Sequence, residues 1–254
     1  MLFSMIKNFL LKAHTTIKNN QSALSIILGT LIISPSYASQ LTDYSAEYDV
    51  MRKGERYGTA VRTLEHRADG HYEIKYSSDI SWMVFSDKRT ESSVFSYIDN
   101  KITPISYRML REGTGRDHDY QLYFDRNAKK VISNQEKFPL KLEWDDTWQD
   151  GISYQEQMRL DLLAGQEVFD YQMVDKKGSV RHYTFKLVGK ETITLPFGNV
   201  EAVKIERVYD NDKRQAIAWL APEMDYLLVR MWKGEKNVEQ FDVQLKSVTS
   251  TVKN

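Results

Sequence analysis

Apolar and polar side chains alternate with a period of two along most of the chain beyond residue 40, and this pattern restricts the possible folds more than any other feature. Residues 44–50 read YSAEYDV, and the same alternation recurs at residues 72–82, 120–124, 169–173 and 241–245. Successive side chains of a β-strand point to opposite faces, so each segment can bury one face and expose the other. The pattern therefore predicts an all-β protein.

Residues typical of tight turns separate these segments, among them Ala68-Asp69-Gly70, Asp125-Arg126-Asn127 and Asp210-Asn211-Asp212. Gly, Asn and Asp are favoured at such positions because their backbone freedom and side-chain hydrogen bonds suit turns. Short connections join antiparallel neighbours, so we predict a mostly antiparallel sheet. A long sheet of this kind curls into an open or closed β-barrel or a spiral-like sheet. The sequence leaves the choice between open and closed forms undecided.

One segment in the middle of the chain has the pattern of a helix. Ser153 and Glu156 have the spacing of a capping box, in which each side chain bonds the other residue's backbone N–H group. The apolar residues that follow repeat at i, i+4 and i+8, which places them on one helix face: Tyr154, Met158 and Leu162. We predict an α-helix over residues 154–163 that lies between two β halves and covers one end of the sheet.

The first 38 residues have the composition of a secretory signal peptide. No acidic residue occurs before Asp43, and an apolar run at residues 23–33 is followed by Ser36-Tyr37-Ala38. A basic stretch, an apolar core and a small-x-small end are the three parts of such a signal. An uncleaved anchor is the alternative, but a membrane helix needs about 20 apolar residues. We predict cleavage after Ala38, which leaves residues 39–254 as a single β-rich domain in the periplasm.

Composition excludes several classes of function. The chain has 35 basic and 35 acidic residues, whereas nucleic-acid-binding proteins carry a basic excess. It has no cysteine, which excludes disulfides, thiolate metal sites and cysteine nucleophiles. No phosphate-binding glycine loop, dinucleotide fingerprint, zinc-binding helix motif or G-x-S-x-G sequence is present. We predict no cofactor and no metal, and a non-enzymatic role is favoured although catalysis is not excluded.

Short motifs follow one another in a characteristic order: Arg56-Tyr57-Gly58, Ile102-Thr103-Pro104, Leu122-Tyr123-Phe124-Asp125, Asp150-Gly151-Ile152-Ser153, Leu195-Pro196-Phe197-Gly198 and Trp219-Leu220-Ala221-Pro222. In this order and spacing the chain resembles the exported bacterial family called domain of unknown function 3108, over about residues 44–248. The resemblance implies a periplasmic, β-rich protein, and it implies no activity or catalytic residue. It also implies an architecture similar to envelope proteins built as open, spiral-like β-barrels that are linked to cell-envelope integrity.

Four aromatic residues are the candidates for contact with a ligand or a partner: Trp82, Phe85, Trp144 and Trp148. The first two end an apolar run, Trp82-Met83-Val84-Phe85, which is either an exposed docking patch or a strand buried on both faces. The other two flank Asp145 and Asp146, and aromatic rings beside carboxylates suit sugar binding. Glycosidic cleavage, however, needs two carboxyl groups about 5 to 10 Å apart across a cleft, which adjacent residues do not supply.

Three functional hypotheses follow from the sequence. The first is a non-enzymatic periplasmic scaffold or binding protein that supports the cell envelope and contacts another periplasmic protein. The second is a carrier or sensor of an amphipathic ligand, a lipid or glycolipid, in a half-open barrel. The third is a glycan-acting hydrolase. A barrel interior filled by its own side chains would weigh against the second hypothesis, because a ligand needs a cavity.

Overall fold

The computed structural model describes residues 41–135, 143–175, 179–236 and 238–251, so the predicted signal peptide lies outside the described residues. Seven strands precede the helix: β1 Asp43–Arg52, β2 Glu55–His66, β3 Tyr72–Trp82, β4 Phe85–Ile98, β5 Lys101–Gly113, β6 His118–Asp125 and β7 Lys130–Ser133. The helix, α1, spans Ser153–Leu163. Six strands follow: β8 Val168–Val174, β9 Val180–Leu195, β10 Gly198–Val208, β11 Arg214–Ala221, β12 Leu227–Glu235 and β13 Val238–Thr251. A 3₁₀ turn, Pro222–Met224, precedes β12. Within this described part, no helix has the length and apolar character needed to cross a membrane.

The described strands form one antiparallel sheet of thirteen members. Its order is β7-β6-β5-β4-β3-β2-β1-β13-β12-β11-β10-β9-β8, so the first and last strands pair at its centre. Consecutive strands are neighbours everywhere except between β7 and β8, which are the two edges of the sheet. These edges do not pair in the described residues, so the sheet is not closed. The structure confirms the all-β antiparallel prediction and selects the open form.

The predicted alternation sets the buried face of the sheet. In β1 the side chains of Tyr44, Ala46, Tyr48 and Val50 are all buried. A large cluster of such residues from strands of both halves forms the main core. A second cluster packs Met158 and other apolar residues of the helix against β8 to β11. Burial of apolar side chains, at about 25 cal/mol per Å², is the main force that holds the sheet around the helix.

The helix has the predicted extent, but the predicted capping box does not form. Asp150 instead accepts hydrogen bonds from the backbone amides of Ile152 and Ser153, at 2.9 and 2.8 Å. The carboxylate of Glu156 does not bond the start of the helix, because it makes a buried ion pair with Arg62 of β2. A tertiary contact thus replaces the local cap that the sequence spacing predicts.

Polar contacts fix α1 at one end of the sheet. The side-chain amide of Gln157 donates to the carbonyl of Asn100 at 3.2 Å and accepts from the amide of Ile102 at 2.7 Å, both at the β4–β5 turn. Arg159 donates to the carbonyl of Asp225, between β11 and β12, at 3.0 Å. In an antiparallel meander alternate turns share an end, so these two turns lie together. The helix covers that end, as predicted, and the β3–β4 and β10–β11 turns lie at the opposite end.

Candidate functional site

Two adjacent cavities lie between α1 and the inner face of the sheet. The C-half cavity, of about 150 Å³, is bounded by α1 and by strands β9 to β12. The N-half cavity, of about 240 Å³, is bounded by the start of α1, by β1 to β4 and by β12 and β13. Four residues line both: Arg62, Gln155, Leu228 and Met231. The interior of the sheet is therefore filled only in part.

The wall of the C-half cavity is mainly apolar. Its apolar lining includes Met158, Phe185, Ile205, Leu220 and Leu228. Two small residues of β11, Ala216 and Ala218, also line it, and larger side chains there would fill the space. An engineered apolar cavity of about 150 Å³ stays dry and binds benzene. The C-half cavity is thus large enough for a small apolar group or part of a hydrocarbon chain.

A buried ionic cluster forms the helix side of the C-half cavity. The Glu156 carboxylate lies 2.9 Å from a guanidinium nitrogen of Arg62 and 2.6 Å from one of Arg159. The Tyr44 hydroxyl donates to the same carboxylate at 3.0 Å. Burial by itself would raise the pKa of Glu156, but the neighbouring Arg159 and Arg62 outweigh it and the pKa is lowered. The carboxylate is therefore ionised at neutral pH, and the cluster holds two cations and one anion.

Two further cations line the C-half cavity on the sheet side. The guanidinium carbon of Arg207 lies 3.3 Å from the ring centroid of Tyr183 and 4.5 Å from that of Tyr209. Its Nε atom is buried and has no hydrogen-bond partner among the described residues. The Lys233 ammonium lies 6.0 Å from the ring centroid of Phe241. These two cations, which contact aromatic rings, give the cavity a cationic polar lining.

The charges beside the N-half cavity are balanced. Asp87 pairs with Arg111 at 2.6 Å, and Arg89 lies 3.7 Å from Glu91. The next residue after Asp150, Gly151, lines this cavity. Burial raises the pKa of Asp150 to about 6. Because the charges near this cavity are paired, its electrostatic character differs from that of the C-half cavity.

The predicted pair Trp82 and Phe85 lies outside both cavities. Of the two alternatives for this run, the structure shows the exposed one: Trp82 is 44% and Phe85 54% exposed, and Met83 and Val84 between them are more exposed still. The rings of Trp82 and Phe85 stack at 6.0 Å between centroids. The four residues form the tip of the β3–β4 hairpin, at the end of the sheet opposite α1. We call them the hairpin tip.

The other predicted pair, Trp144 and Trp148, packs against the fold. Trp148 is buried in the main core, and the half-buried Trp144 meets it edge to face at 5.5 Å between centroids. The indole N–H of Trp144 donates to Asp146 at 2.8 Å. Hydrogen bonds from the backbone and hydroxyl of Thr147 lower the pKa of Asp145. Local turn contacts thus occupy these carboxylates, and neither tryptophan lines a cavity described above.

Sequence reasoning did not find the cationic residues of the C-half cavity. Arg207 and Tyr209 are two positions apart, a spacing that places side chains on one face of a strand. Tyr183, however, comes from the neighbouring strand β9, and only the β9–β10 register brings it to Arg207. In the part of the chain that the structure describes, no group of three or more His, Asp or Glu side chains is placed to hold a metal.

An open antiparallel sheet curled around one helix, with cavities on its inner face, defines a β-barrel-like protein. One solved structure shares this fold: a β-barrel-like protein of domain of unknown function DUF1849 from Brucella abortus. The two align with a TM-score of 0.56 and 12% identity over 84% of this chain and 99% of that one. At this identity the likeness shows the fold alone.

A family model assigns the chain more specifically. The model of the protein family of unknown function DUF3108 matches residues 43–241, so the chain belongs to that family. This confirms the resemblance found in the sequence. The crystal structure of MucB is also similar, with a TM-score of 0.33 and 9% identity over 85% of this chain and 55% of that one. No functionally curated protein matches the chain.

Proposed function

We propose that the protein is exported to the periplasm and there binds an amphipathic ligand, without catalysis, inside its open β-sheet. The observation that supports binding best is the C-half cavity, where an apolar wall and cationic side chains meet next to α1. Ligand sites in proteins are concave and mostly apolar, with a few placed polar groups. Export rests on the composition of residues 1–38, and a role in the cell envelope rests on the family resemblance.

The partly filled interior favours a ligand carrier or sensor over a protein without an interior site. Large buried side chains fill much of the interior, such as Phe95 in the main core and Phe169 in the second cluster. The two cavities remain beside these filled regions, and they share four lining residues, three from β2 and β12 and one from α1. A ligand that extends from one cavity into the other would contact α1 and both halves of the sheet.

The binding of a neutral apolar dye tests this proposal. The mature chain is titrated with N-phenyl-1-naphthylamine, whose fluorescence rises in apolar surroundings, and a lipid extract of the purified protein is examined by mass spectrometry. Replacement Ala218→Phe puts a large ring into the C-half cavity, and we expect it to weaken dye binding about tenfold or more.

The matched control is Ala128→Phe, which adds the same ring on an exposed turn between β6 and β7. This variant should bind the dye as the unaltered protein does. Circular dichroism and thermal midpoints establish that both variants are folded. Absence of saturable dye binding to the unaltered protein, or equal binding by the two variants, would contradict the proposal.

The exposed hairpin tip supports a second candidate, a scaffold that docks another periplasmic protein. Trp82, Met83, Val84 and Phe85 form a contiguous apolar surface, and aromatic residues are enriched at the centres of protein interfaces. Photo-crosslinking in periplasmic extracts compares the double variant Trp82→Ser/Phe85→Ser with Ile98→Ser, which removes an exposed apolar residue at the other end of β4. A partner that binds the hairpin tip should crosslink to the Ile98→Ser variant but not to the double variant.

A further inference from the structure

If the C-half cavity binds an amphipathic ligand, as the proposed function requires, its charged lining selects the polar end of that ligand. Besides the apolar wall, the C-half cavity is lined by four basic residues, Arg62, Arg159, Arg207 and Lys233, and by one acidic residue, Glu156. The single carboxylate already pairs with Arg62 and Arg159. The lining therefore carries three positive charges in excess, in surroundings where water screens them less than on an open surface.

The basic residues differ in how far their hydrogen-bonding groups are already used. All three nitrogens of the Arg62 guanidinium donate within the fold, to Tyr44, Gln155 and Glu156 at 2.9, 2.6 and 2.9 Å. Arg207, by contrast, makes no ion pair with any described residue, and its buried Nε has no acceptor. A buried donor without an acceptor destabilises the empty site, and an acceptor on the ligand would remove that cost. The Arg207 guanidinium is therefore available to an anionic group of a ligand.

The strand register places Lys233 beside Arg207 on the same face of the sheet. Lys233 of β12 lies opposite Ala216 of β11. Glu206 lies opposite Ile217 in the β10–β11 pair, so Arg207 falls in the next row, on the other side of Ala216. The two cations are thus two strand spacings apart, about 10 Å between backbones. The small Ala216 side chain between them leaves room for one anion to reach both, once the Lys233 ammonium turns from the Phe241 ring on β13 toward β11.

The surroundings of Arg207 hold it ready for an anion. Its guanidinium packs on the rings of Tyr183 and Tyr209, and stacking of this kind fixes the plane of the group. A guanidinium presents two parallel N–H groups that match the two oxygens of a carboxylate or phosphate. Prior ordering of this kind lowers the entropic cost of binding.

We infer that the ligand is an anionic amphiphile whose carboxylate or phosphate group binds Arg207 and Lys233, and whose hydrocarbon chain lies between α1 and strands β10 to β12. The apolar contacts come from Phe185, Ile205 and Leu228. A neutral or cationic head would leave the cationic pair uncompensated, so the site discriminates by charge as well as by apolar contact.

Four probes with the same hydrocarbon chain test the head group: decanoate, decyl phosphate, decanol and decyltrimethylammonium, each titrated calorimetrically below its micelle concentration. We expect decanoate or decyl phosphate to bind about tenfold or more tightly than decanol, and decyltrimethylammonium to bind most weakly, because hydrogen bonds to charged groups are the stronger ones. The comparison of the first two probes decides between carboxylate and phosphate.

Substitutions of Arg207 and Lys233 test whether these two cations cause the preference for an anionic head group. Arg207→Gln and Lys233→Gln should each weaken binding of the anionic probes, by about tenfold for Arg207→Gln, while decanol binding stays unchanged. Arg116→Gln removes the same charge from an exposed turn outside the cavity and should leave all four affinities unchanged. Thermal midpoints establish that the variants fold.

The possible results separate this inference from the proposal on which it rests. Equal binding of decanoate, decyl phosphate and decanol, or an Arg207→Gln variant with unaltered anion affinity, overturns the anionic head group and leaves the interior binding site standing. Failure of all four probes to bind overturns both.

Discussion

Charged residues in the interior of this protein fall into two kinds, those whose buried polar atoms all have partners and those with a buried polar atom left without one. Glu156, Arg62 and Arg159 belong to the first kind, because the carboxylate pairs with both guanidinium groups. Arg207 belongs to the second, because its buried Nε has no acceptor in the described residues. The first kind joins the helix to β2, and the second is suited to an external partner.

Loss of Glu156 should destabilise the fold strongly. In Glu156→Gln the Arg62 and Arg159 guanidinium groups remain buried, with side chains only 4% and 7% exposed, and lose their common counter-ion. Removal of one partner of a buried ion pair costs about 3–5 kcal/mol, and we expect that decrease in the free energy of unfolding in urea. Glu201→Gln, which breaks the exposed pair with Lys190, should cost far less, because water screens an exposed ion pair. Similar losses for the two variants would contradict this account.

Asp150 should make the stability depend on pH. Burial raises its pKa from 3.8 to about 6 in the folded protein, although Ser93 and two backbone amides donate hydrogen bonds to it. A group whose folded-state pKa is raised stabilises the fold below its unfolded pKa, and this contribution is lost as pH rises through 6. Between pH 4 and 6 the unfolding free energy should therefore fall by about 2 kcal/mol relative to Asp150→Asn.

The neutral asparagine of Asp150→Asn has nearly the same shape and does not titrate, so the difference between the two urea-unfolding series isolates this one carboxyl group. Other titrating groups contribute equally to both series. Parallel pH profiles for the two proteins would show that Asp150 ionises in the folded state as readily as in the unfolded chain.

The distance to the neighbouring strand determines which glycines of a strand can be replaced by alanine. A Cβ atom at Gly58 of β2 would meet the carbonyl oxygen of Asp79 and lie 2.9 Å from the Cα of Ile80, both on β3. Gly58→Ala should therefore lower the unfolding free energy by about 1–3 kcal/mol, the usual cost of overpacking. At Gly189 of β9 no atom lies within 4 Å of such a Cβ, so Gly189→Ala should raise stability by about 0.4–1 kcal/mol. Thermal unfolding compares the two, and equal effects would contradict the steric explanation.

At the scale of elements, periodicity predicted what depends on neighbours in the sequence. The alternation at residues 44–50 identified β1 and its buried face, and the i, i+4 spacing identified α1. Glu156 was assigned to a helix cap because its partner in the ion pair, Arg62, is distant in the sequence. Arg207, which lines the C-half cavity, was missed for the same reason, since the ring of Tyr183 reaches it only through the strand register. Local sequence patterns predict which face of a strand or helix is buried and where the element ends. Buried charge pairs depend on the tertiary arrangement and are not predicted in this way.

At the scale of the whole described domain, two features couple the halves of the sheet. β1 pairs with β13, which joins the first strand to the last along most of their length. The helix contacts both halves, through Gln157 at the β4–β5 turn and through Arg159 at Asp225 after β11. If one half unfolded, the other half would lose its contacts with α1 and its partner strand in the β1–β13 pair.

This coupling predicts a single cooperative unfolding transition. The C-terminal half carries Trp219 and Trp232, so replacement of the other three tryptophans by phenylalanine makes fluorescence report on that half alone. In urea its midpoint should coincide with that of far-ultraviolet circular dichroism, which reports on all strands, because a two-state transition gives the same midpoint by every probe. A fluorescence midpoint clearly separate from the dichroism midpoint would mean that the halves unfold independently, and that neither the β1–β13 pair nor the α1 contacts couple them.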